Sequence, residues 1–225
     1  MVIKTMNIKE LIKKFSSTPN TERASEYWAQ MFFEQILPQI EQISNQSRYG
    51  YHGLTHTTQV AMFGLDIAYT INQYPLPVLL AAGLHDCART NDQWCIMHGP
   101  NAVPIAYDFI AKNYPTLSRS DTKKIINAVK NHTVGRRAPD GVAACLWDGD
   151  RIRLSWEMGY KPECFSTSRG RQIAGLTPIG QKEYIDKQDT FLINNNIRTR
   201  EQIEFEREQD KIHDQIGTQF KLKVR

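Results

Sequence analysis

The sequence lacks the features of secreted and membrane proteins. Its four cysteines among 225 residues form no CxxC pair, which is too sparse for a disulfide scaffold and favours a reducing compartment. The first 14 residues mix lysines with an acid and contain no sustained apolar run, so they match neither a secretory signal nor a membrane span. We therefore expect a cytoplasmic protein without a membrane partner.

A strong charge of one sign is lacking as well. The 28 Lys and Arg residues are interspersed with 24 Asp and Glu residues, and the net charge is +4. This mixture argues against nucleic acid as the main partner. The densest basic stretch, from Arg119 to Arg137, fits either a solvated helix face or a rim that attracts phosphate.

Alternating patterns typical of β-strands are also missing. Apolar residues recur at spacings of three and four, which predicts an all-α fold. We expect helices at about 7–17, 21–46 with a break or kink at Pro38, 55–73, 77–88, 100–113, 120–133 with Ser120 as N-cap, and 140–156. Further helices are expected within 181–219, with a break near Asn194. The prolines and glycines of residues 159–180 predict a long irregular connection.

Histidine is the most informative residue in this chain. Five of the six histidines lie between positions 52 and 132. His85 and Asp86 directly follow an apolar helix, where two side chains of the ligand type would enter a cleft. Neutral imidazole and carboxylate suit Zn, Fe, Mn, Ni or Co, and a metal site on a helical scaffold gathers such ligands from several helices.

The order of these residues resembles the HD-domain superfamily of metal-dependent phosphohydrolases. The resemblance covers roughly residues 50–155 and rests on four stretches of sequence: His52-Gly-Leu-Thr-His56, Gly83-Leu-His85-Asp86-Cys-Ala-Arg89, His98-Gly99 and Trp147-Asp148-Gly-Asp150-Arg151-Ile152. It implies an HD-domain-like helical bundle, here a single domain over 1–225. Extra N-terminal helices (1–46) and C-terminal helices (181–219) would flank the metal-site core.

The resemblance also implies a ligand set. The metal ligands of the superfamily fall on His56, His85, Asp86 and Asp150, and Asp150 is preferred to Asp148 because Gly-Asp150-Arg151-Ile matches the distal motif. Members with two metals add histidines that correspond to His98 and His132, and Asp86 would then bridge both ions. His98 and His132 have an alternative role in binding substrate phosphate.

Further roles stay open at the level of sequence. Asp86, His98, His132 and Arg89 are the candidate catalytic residues. The guanidinium of Arg89 would hold a phosphate oxygen or instead pair with Asp92. His52, one helical turn before His56, would support the ligands or the substrate, or would serve the fold alone.

The expected function is hydrolysis of a phosphoester, either monoester or diester, in a nucleotide or another small phosphorylated metabolite. One or two divalent ions would serve it: Mn, Fe, Co, Ni, Zn or Mg. Two alternative functions remain open. The first is a di-iron oxygenase of the superfamily, because the same ligands would suit it. The second is a non-catalytic domain that binds a nucleotide or a partner, because Gln59 and Arg153 depart from the residues usual in the superfamily. The charged C-terminal region makes a homodimer possible.

Overall fold

The computed structural model describes residues 22–45, 52–90, 95–159 and 161–223. Every regular element within these residues is a helix, which confirms the predicted all-α class. The helix expected at 7–17 lies outside the described residues. None of the helices in the described residues is long and apolar enough to cross a membrane.

Ten α-helices follow one another along the described chain. They are α1 (Glu22–Met31), α2 (Leu37–Ile43), α3 (Leu54–Thr70), α4 (Pro75–Leu84), α5 (His98–Asn113), α6 (Arg119–Asn131), α7 (Gly141–Met158), α8 (Ser168–Ala174), α9 (Pro178–Asn194) and α10 (Arg200–Lys223). A π-helical turn, Phe32–Ile36, joins α1 to α2. Pro38 follows this turn and has no N–H to donate to the carbonyl oxygen of residue 34. The helical path therefore changes to a π-helical turn before Pro38 but continues beyond it.

Helix α4 forms the centre of the fold. All ten of its residues, Pro75 to Leu84, are buried, and it packs against α3, α6 and α7. A helix that is apolar on every side requires neighbours all round. His85 and Asp86 therefore leave the helix inside the protein and not at its surface.

Helices α3 and α7 pack closely because glycine stands at their crossing. A Cβ atom added to Gly149 of α7 would lie 3.0 Å from the carbonyl oxygen of Val60 and 3.2 Å from the amide nitrogen of Gly64 on α3. At such distances a methyl group would fit only if the backbone of α3 or α7 moved by a few tenths of an ångström. The glycine thus brings the next residue, Asp150, close to the first turns of α3.

The prediction of an irregular connection over residues 159–180 is wrong in part. The segment contains a 3₁₀ turn at Pro162–Cys164, the helix α8, and the first residues of α9. Thr167 caps α8 by accepting a hydrogen bond from the amide of Gly170, and Thr177 caps α9 in the same way. Glycine and proline lie in the first turns of these helices, and for this reason the composition of the segment predicted a loop. Asp66 of α3 accepts hydrogen bonds from Arg169 and Tyr184, which attaches α8 and α9 to the core.

The predicted cap of α6 needs a correction too. Ser118, and not Ser120, is the N-cap, and its hydroxyl accepts a hydrogen bond from the amide of Asp121. Asp121 lies in the first turn, where a carboxylate interacts favourably with the helix dipole. The break predicted near Asn194 is present, because α9 ends there and Asn196 has a positive φ of 54°.

Candidate metal centre

Five helices bring the predicted ligands together. His56 lies in the first turn of α3, His85 and Asp86 directly follow α4, His98 begins α5, His132 directly follows α6, and Asp150 lies within α7. Of these, His56, His85, Asp86, His98 and His132 are buried. The structure therefore brings all six residues of the predicted ligand set into one cluster.

Asp86 lies at the centre of this cluster and divides it into two sides. Its Oδ2 atom is 3.4 Å from Nε2 of His85 and 3.9 Å from Nε2 of His56. Its Oδ1 atom is 3.0 Å from Nε2 of His98 and 3.5 Å from Nε2 of His132. Each carboxylate oxygen thus faces a different pair of histidines, as a bridging ligand would.

Asp150 belongs to one side only. Its Oδ1 atom lies 3.2 Å from Nε2 of His56 and 4.0 Å from Nε2 of His85. Three overlapping groups have ligand atoms within 4.8 Å of one another: His52, His56 and Asp86; His56, His85 and Asp150; and His85, Asp86 and His132. The cluster therefore offers donors for a cation on either side of Asp86.

Backbone carbonyls orient the histidine rings. Nδ1 of His85 lies 2.7 Å from the carbonyl oxygen of Ala82, and Nδ1 of His132 lies 2.7 Å from that of Val129. Because a carbonyl only accepts, Nδ1 carries the proton in both rings. A neutral ring then presents its Nε2 lone pair to the centre.

Two pairs of histidine ring nitrogens lie so close together that a cation between them is more favourable than direct contact of their lone pairs. Nε2 of His85 is 3.3 Å from Nε2 of His56, and Nε2 of His98 is 2.7 Å from Nε2 of His132. Two lone pairs at such distances repel unless a proton or a metal ion lies between them. The nitrogen and oxygen donors of this set are those that Zn, Fe, Mn, Co and Ni bind in proteins.

The electrostatics of the cluster also favour a cation. Burial alone would raise the pKa of Asp86, but the charge of His85 and hydrogen bonds from His132, His52 and His98 hold that pKa well below its usual value. Burial lowers the pKa of His56, although Asp150 opposes this effect. Burial raises the pKa of Asp150 as well, but a hydrogen bond from His56 and the charge of His85 lower it overall. Two ionised carboxylates therefore lie among the rings, and buried negative charge of this kind is costly unless positive charge, on a ring or on a bound cation, offsets it.

The side chain of Arg89 is directed at the histidines of the centre. Its side chain is buried, with NH2 2.9 Å from Nε2 of His52 and NH1 2.8 Å from Nδ1 of His98. The alternative partner, Asp92, lies outside the described residues. Nδ1 of His98 also contacts the carbonyl oxygen of Cys95, and because a carbonyl only accepts, the proton of this ring is on Nδ1 and Nε2 keeps its lone pair. Arg89 thus contacts two histidines of the centre and donates to His52 alone.

The Arg89 contact determines the tautomer of His52. Since arginine only donates, Nε2 of His52 accepts, and the proton is on Nδ1. That atom lies 3.2 Å from Oδ2 of Asp86. His52 therefore presents a proton, not a lone pair, to the centre and is not a ligand in this arrangement.

The carboxylates of Asp148 and Asp150 have different partners. Asp148 is fully buried and accepts hydrogen bonds from the amides of Ser166 and Thr167 and from the hydroxyl of Thr167. Burial raises its pKa, although these hydrogen bonds oppose the shift. Asp148 thus holds the segment before α8, while Asp150 faces His56.

The structure gives a supporting role to Arg151, a residue of the distal motif to which the sequence assigned no role of its own. Arg151 donates to the carbonyl oxygens of Cys164 and Gly135, and its guanidinium lies over the ring of Trp147. It thereby fixes the turn that begins at His132. Two other basic residues of that turn, Arg136 and Arg137, are exposed, as is Lys130 of α6.

A cavity of about 270 Å³ adjoins the centre. Asp86 and His52 form part of its wall, and the remainder comes from α2, the start of α3 and the end of α4. This cavity gives a bound molecule direct access to the bridging carboxylate.

Comparisons with known proteins give one similarity in structure. The chain is similar to the crystal structure of a predicted HD superfamily hydrolase from an uncultured Thermotogales bacterium, with 19% sequence identity and a TM-score of 0.43, over 84% of this chain and 99% of that chain. No family model matches the sequence, and no curated protein matches it.

Proposed function

We propose that the protein is a divalent-metal-dependent phosphohydrolase that acts on a small phosphorylated metabolite or nucleotide. One observation carries this proposal: the two oxygens of Asp86 face two different pairs of buried histidines. We infer one ion between His56, His85, Asp86 and Asp150, and a second between Asp86, His98 and His132. Bound there, divalent ions would lower the pKa of coordinated water to about 7 and offset charge on phosphoryl oxygens.

The protein's own groups orient the histidine ligands and offer a hydrogen bond to the substrate. The carbonyls of Ala82 and Val129 keep Nε2 of His85 and His132 directed at the centre. In the hydrolysis, water oxygen bonds to phosphorus, the bond from phosphorus to the ester oxygen breaks, and the alcohol leaves with one proton. One proton of the attacking water passes to the departing ester oxygen, and His52, with its N–H on Nδ1 beside Asp86 and in the wall of the cavity, is placed to donate a hydrogen bond to a substrate oxygen.

Arg89 acts in this proposal through the histidines and not by direct contact with phosphate. Its guanidinium donates to His52, which fixes the tautomer, and it lies against His98. Supporting residues of this type orient the groups that bind metal and substrate. Arg89 is therefore a positioning residue.

The test combines elemental analysis with a substrate screen. Protein purified without chelator is supplied with Mn, Co, Ni, Fe or Mg and assayed for phosphate release from nucleotides, sugar phosphates and p-nitrophenyl phosphate, beside Asp86→Ala. We expect phosphate release in the parent and its loss, together with the metal, in the variant. Two irons with oxygen consumption and no phosphate release would indicate an oxygenase instead. Full nucleotide binding by Asp86→Ala without turnover in the parent would indicate a binding domain.

A further inference from the structure

The start of α5 and the end of α6 meet at a glycine. Gly99, the second residue of α5, is buried. A Cβ atom added to it would lie 2.9 Å from the carbonyl oxygen of Val129 and 2.8 Å from that of Lys130, both in the last turn of α6. Both distances are shorter than a Cβ atom tolerates against backbone. The absence of a side chain at position 99 therefore permits the two backbones to lie this close together.

The same junction brings together two of the histidines proposed as ligands. His98 directly precedes Gly99, and His132 directly follows α6. The Nε2 atoms of the two rings are 2.7 Å apart. Both face Oδ1 of Asp86, at 3.0 Å from His98 and 3.5 Å from His132. A shift of α5 away from α6 would therefore separate the donors on this side of Asp86.

A side chain at position 99 would also disturb the hydrogen bond that orients His132. The added Cβ atom would lie 3.2 Å from Nδ1 of His132, and this Nδ1 donates to the carbonyl oxygen of Val129 over 2.7 Å. That carbonyl oxygen is itself among the atoms nearest to the added carbon, so both ends of the hydrogen bond would have to move. This bond keeps the proton on Nδ1 and directs the Nε2 lone pair to the centre.

The other side of Asp86 is built from different elements. Its two histidines and Asp150 come from α3, from α7 and from the residue after α4. In the part of the chain that the structure describes, no atom of these elements is among the three nearest to a Cβ at position 99. The contact at Gly99 thus concerns only one side of the centre, whereas Gly149 lies at the crossing of α3 and α7 on the other side.

Building on the proposed phosphohydrolase function, we propose that Gly99 is a positioning residue for the cation on the Oδ1 side of Asp86. Its missing side chain lets α5 lie against α6, so that His98 meets His132 and the Nδ1 hydrogen bond of His132 stays intact. A larger residue at position 99 disturbs this side and leaves the cation position beside Asp150 in place.

The first test measures metal binding by Gly99→Ala. Chelator-treated parent and variant are titrated with Mn, and the number of bound ions and their Kd values are determined by calorimetry and elemental analysis. We expect the parent to bind two ions. The variant should bind one of them with unchanged affinity and the other about 10- to 100-fold more weakly. Ala106→Gly, a change at a buried residue about two turns further along α5, is the control for lost helix stability and should alter neither affinity.

Pro100 requires a control of its own. A residue with a side chain is disfavoured in the helical conformation when proline follows it, so Gly99→Ala also strains the backbone locally. Pro100→Ala and the double variant Gly99→Ala/Pro100→Ala are therefore titrated in parallel, since the double variant lacks this strain but keeps the close contact with α6. We expect two ions in Pro100→Ala and the weakened second ion in the double variant. Recovery of that ion in the double variant would overturn the inference.

Circular dichroism shows which of these variants fold. The double variant provides the comparison if Gly99→Ala alone does not fold. Failure of both to fold would show that position 99 serves the whole fold and not one side of the centre, which would overturn the inference.

A second readout follows the ring of His132 without metal or turnover. Nuclear magnetic resonance of the histidine ring nitrogens reports which nitrogen carries a proton. We expect Nδ1 of His132 to be protonated in the metal-free parent and only partly protonated in Gly99→Ala, because the hydrogen bond to Val129 is lost. A ring that keeps its Nδ1 proton fully in the variant would contradict the inference.

These readouts distinguish the inference from the proposed function. Equal binding of two ions by the parent and Gly99→Ala, or fewer than two ions in the parent, overturns the inference whether or not phosphate is released. Loss of the second ion from Gly99→Ala, in a protein that releases phosphate from no ester, upholds the inference and overturns the proposed function.

Discussion

At the scale of single residues, Asp86 has the most contacts within the centre. His52, His56 and His85 lie near one of its oxygens, and His98 and His132 near the other. It reaches this position because α4 is buried along its whole length and ends directly before it. A buried carboxylate stays ionised only where hydrogen bonds and nearby positive charge offset the loss of water. Changes to the neighbours of Asp86 should therefore affect the whole site.

Replacement of Arg89 should separate metal binding from turnover. Arg89→Met keeps the volume of the side chain but removes the donor that fixes the His52 tautomer. We expect turnover to fall by about 10- to 100-fold, the usual effect of losing a group that orients ligands, while most of the metal remains bound. Elemental analysis beside steady-state kinetics measures both. Unchanged turnover would contradict the positioning role.

Replacement of Asp148 should affect stability and leave the metal in place. Asp148→Ala removes the acceptor of three hydrogen bonds from Ser166 and Thr167, and buried donors left without partners cost about 1–3 kcal/mol each. We expect a loss of about 2–4 kcal/mol in denaturant unfolding with unchanged metal stoichiometry. The milder Thr167→Val should cost less, and loss of metal from Asp148→Ala would show that Asp148 serves the centre directly.

The order of residues along the chain predicted which side chains would cluster, but it did not predict what supports them. His56, His85, Asp86, His98, His132 and Asp150 were named from their order along the chain, and the structure places them together, although their role as ligands remains a proposal. For Arg89 the sequence left two roles open, phosphate binding or an ion pair with Asp92, because an arginine in a loop gives no sign of its partners. Its contacts with His52 and His98 depend on how α3, α4 and α5 converge, which residue order does not encode.

At the scale of elements, the site depends on the close packing of α3 and α7. Gly149→Ala would place a methyl group 3.0 Å from the carbonyl oxygen of Val60. We expect α7 to shift, with a loss of about 1–3 kcal/mol of stability and weaker metal binding between His56 and Asp150. Thermal unfolding and metal titration would measure these effects.

A matched control for this change is Gly180→Ala in the first turn of α9. The nearest atom to the added methyl group would lie 3.4 Å away, and alanine favours a helix more than glycine does. We expect Gly180→Ala to keep full metal affinity and to lose no stability. The same loss in both variants would show that close packing at Gly149 is not important for the site.

Helix positions were largely predictable, and the exceptions have physical causes. The pattern predicted a helix at 77–88 where α4 spans Pro75–Leu84, because a continuous apolar run is clear in the sequence. Residues 159–180 were predicted as irregular, since α8 has only seven residues and glycine and proline surround it. What orders this segment is Asp148, a contact between distant parts of the chain.

At the scale of the whole molecule, metal binding and folding should be coupled. The ligands come from five helices, so the unfolded chain holds no comparable site, and a ligand present at 100 times its Kd stabilises a fold by about 2.7 kcal/mol. We expect Mn or Co to raise the Tm of chelator-treated protein by about 5–10 °C. Asp86→Ala, as the control, should show no such rise, and an equal rise in both would place the binding elsewhere.

A homodimer remains a prediction at this scale. Phe205 and Ile212 of α10 are 56% and 42% exposed, and their spacing places both on similar sides of the helix. Sedimentation of the parent beside Phe205→Glu would test it. A parent dimer that the variant disrupts is the expected result, and a parent monomer would contradict the prediction.

The measurement that tests the central claim most directly is the metal stoichiometry of four proteins: the parent, Asp150→Ala, His132→Ala and Asp86→Ala. Asp150 faces His56 and His85, His132 faces the other oxygen of Asp86, and Asp86 itself joins both sides. We predict two equivalents in the parent, about one in each of the first two variants and none in Asp86→Ala. Equal metal content in Asp86→Ala and the parent, or none in the parent after addition of Mn, Co, Ni, Fe or Zn, would contradict the account.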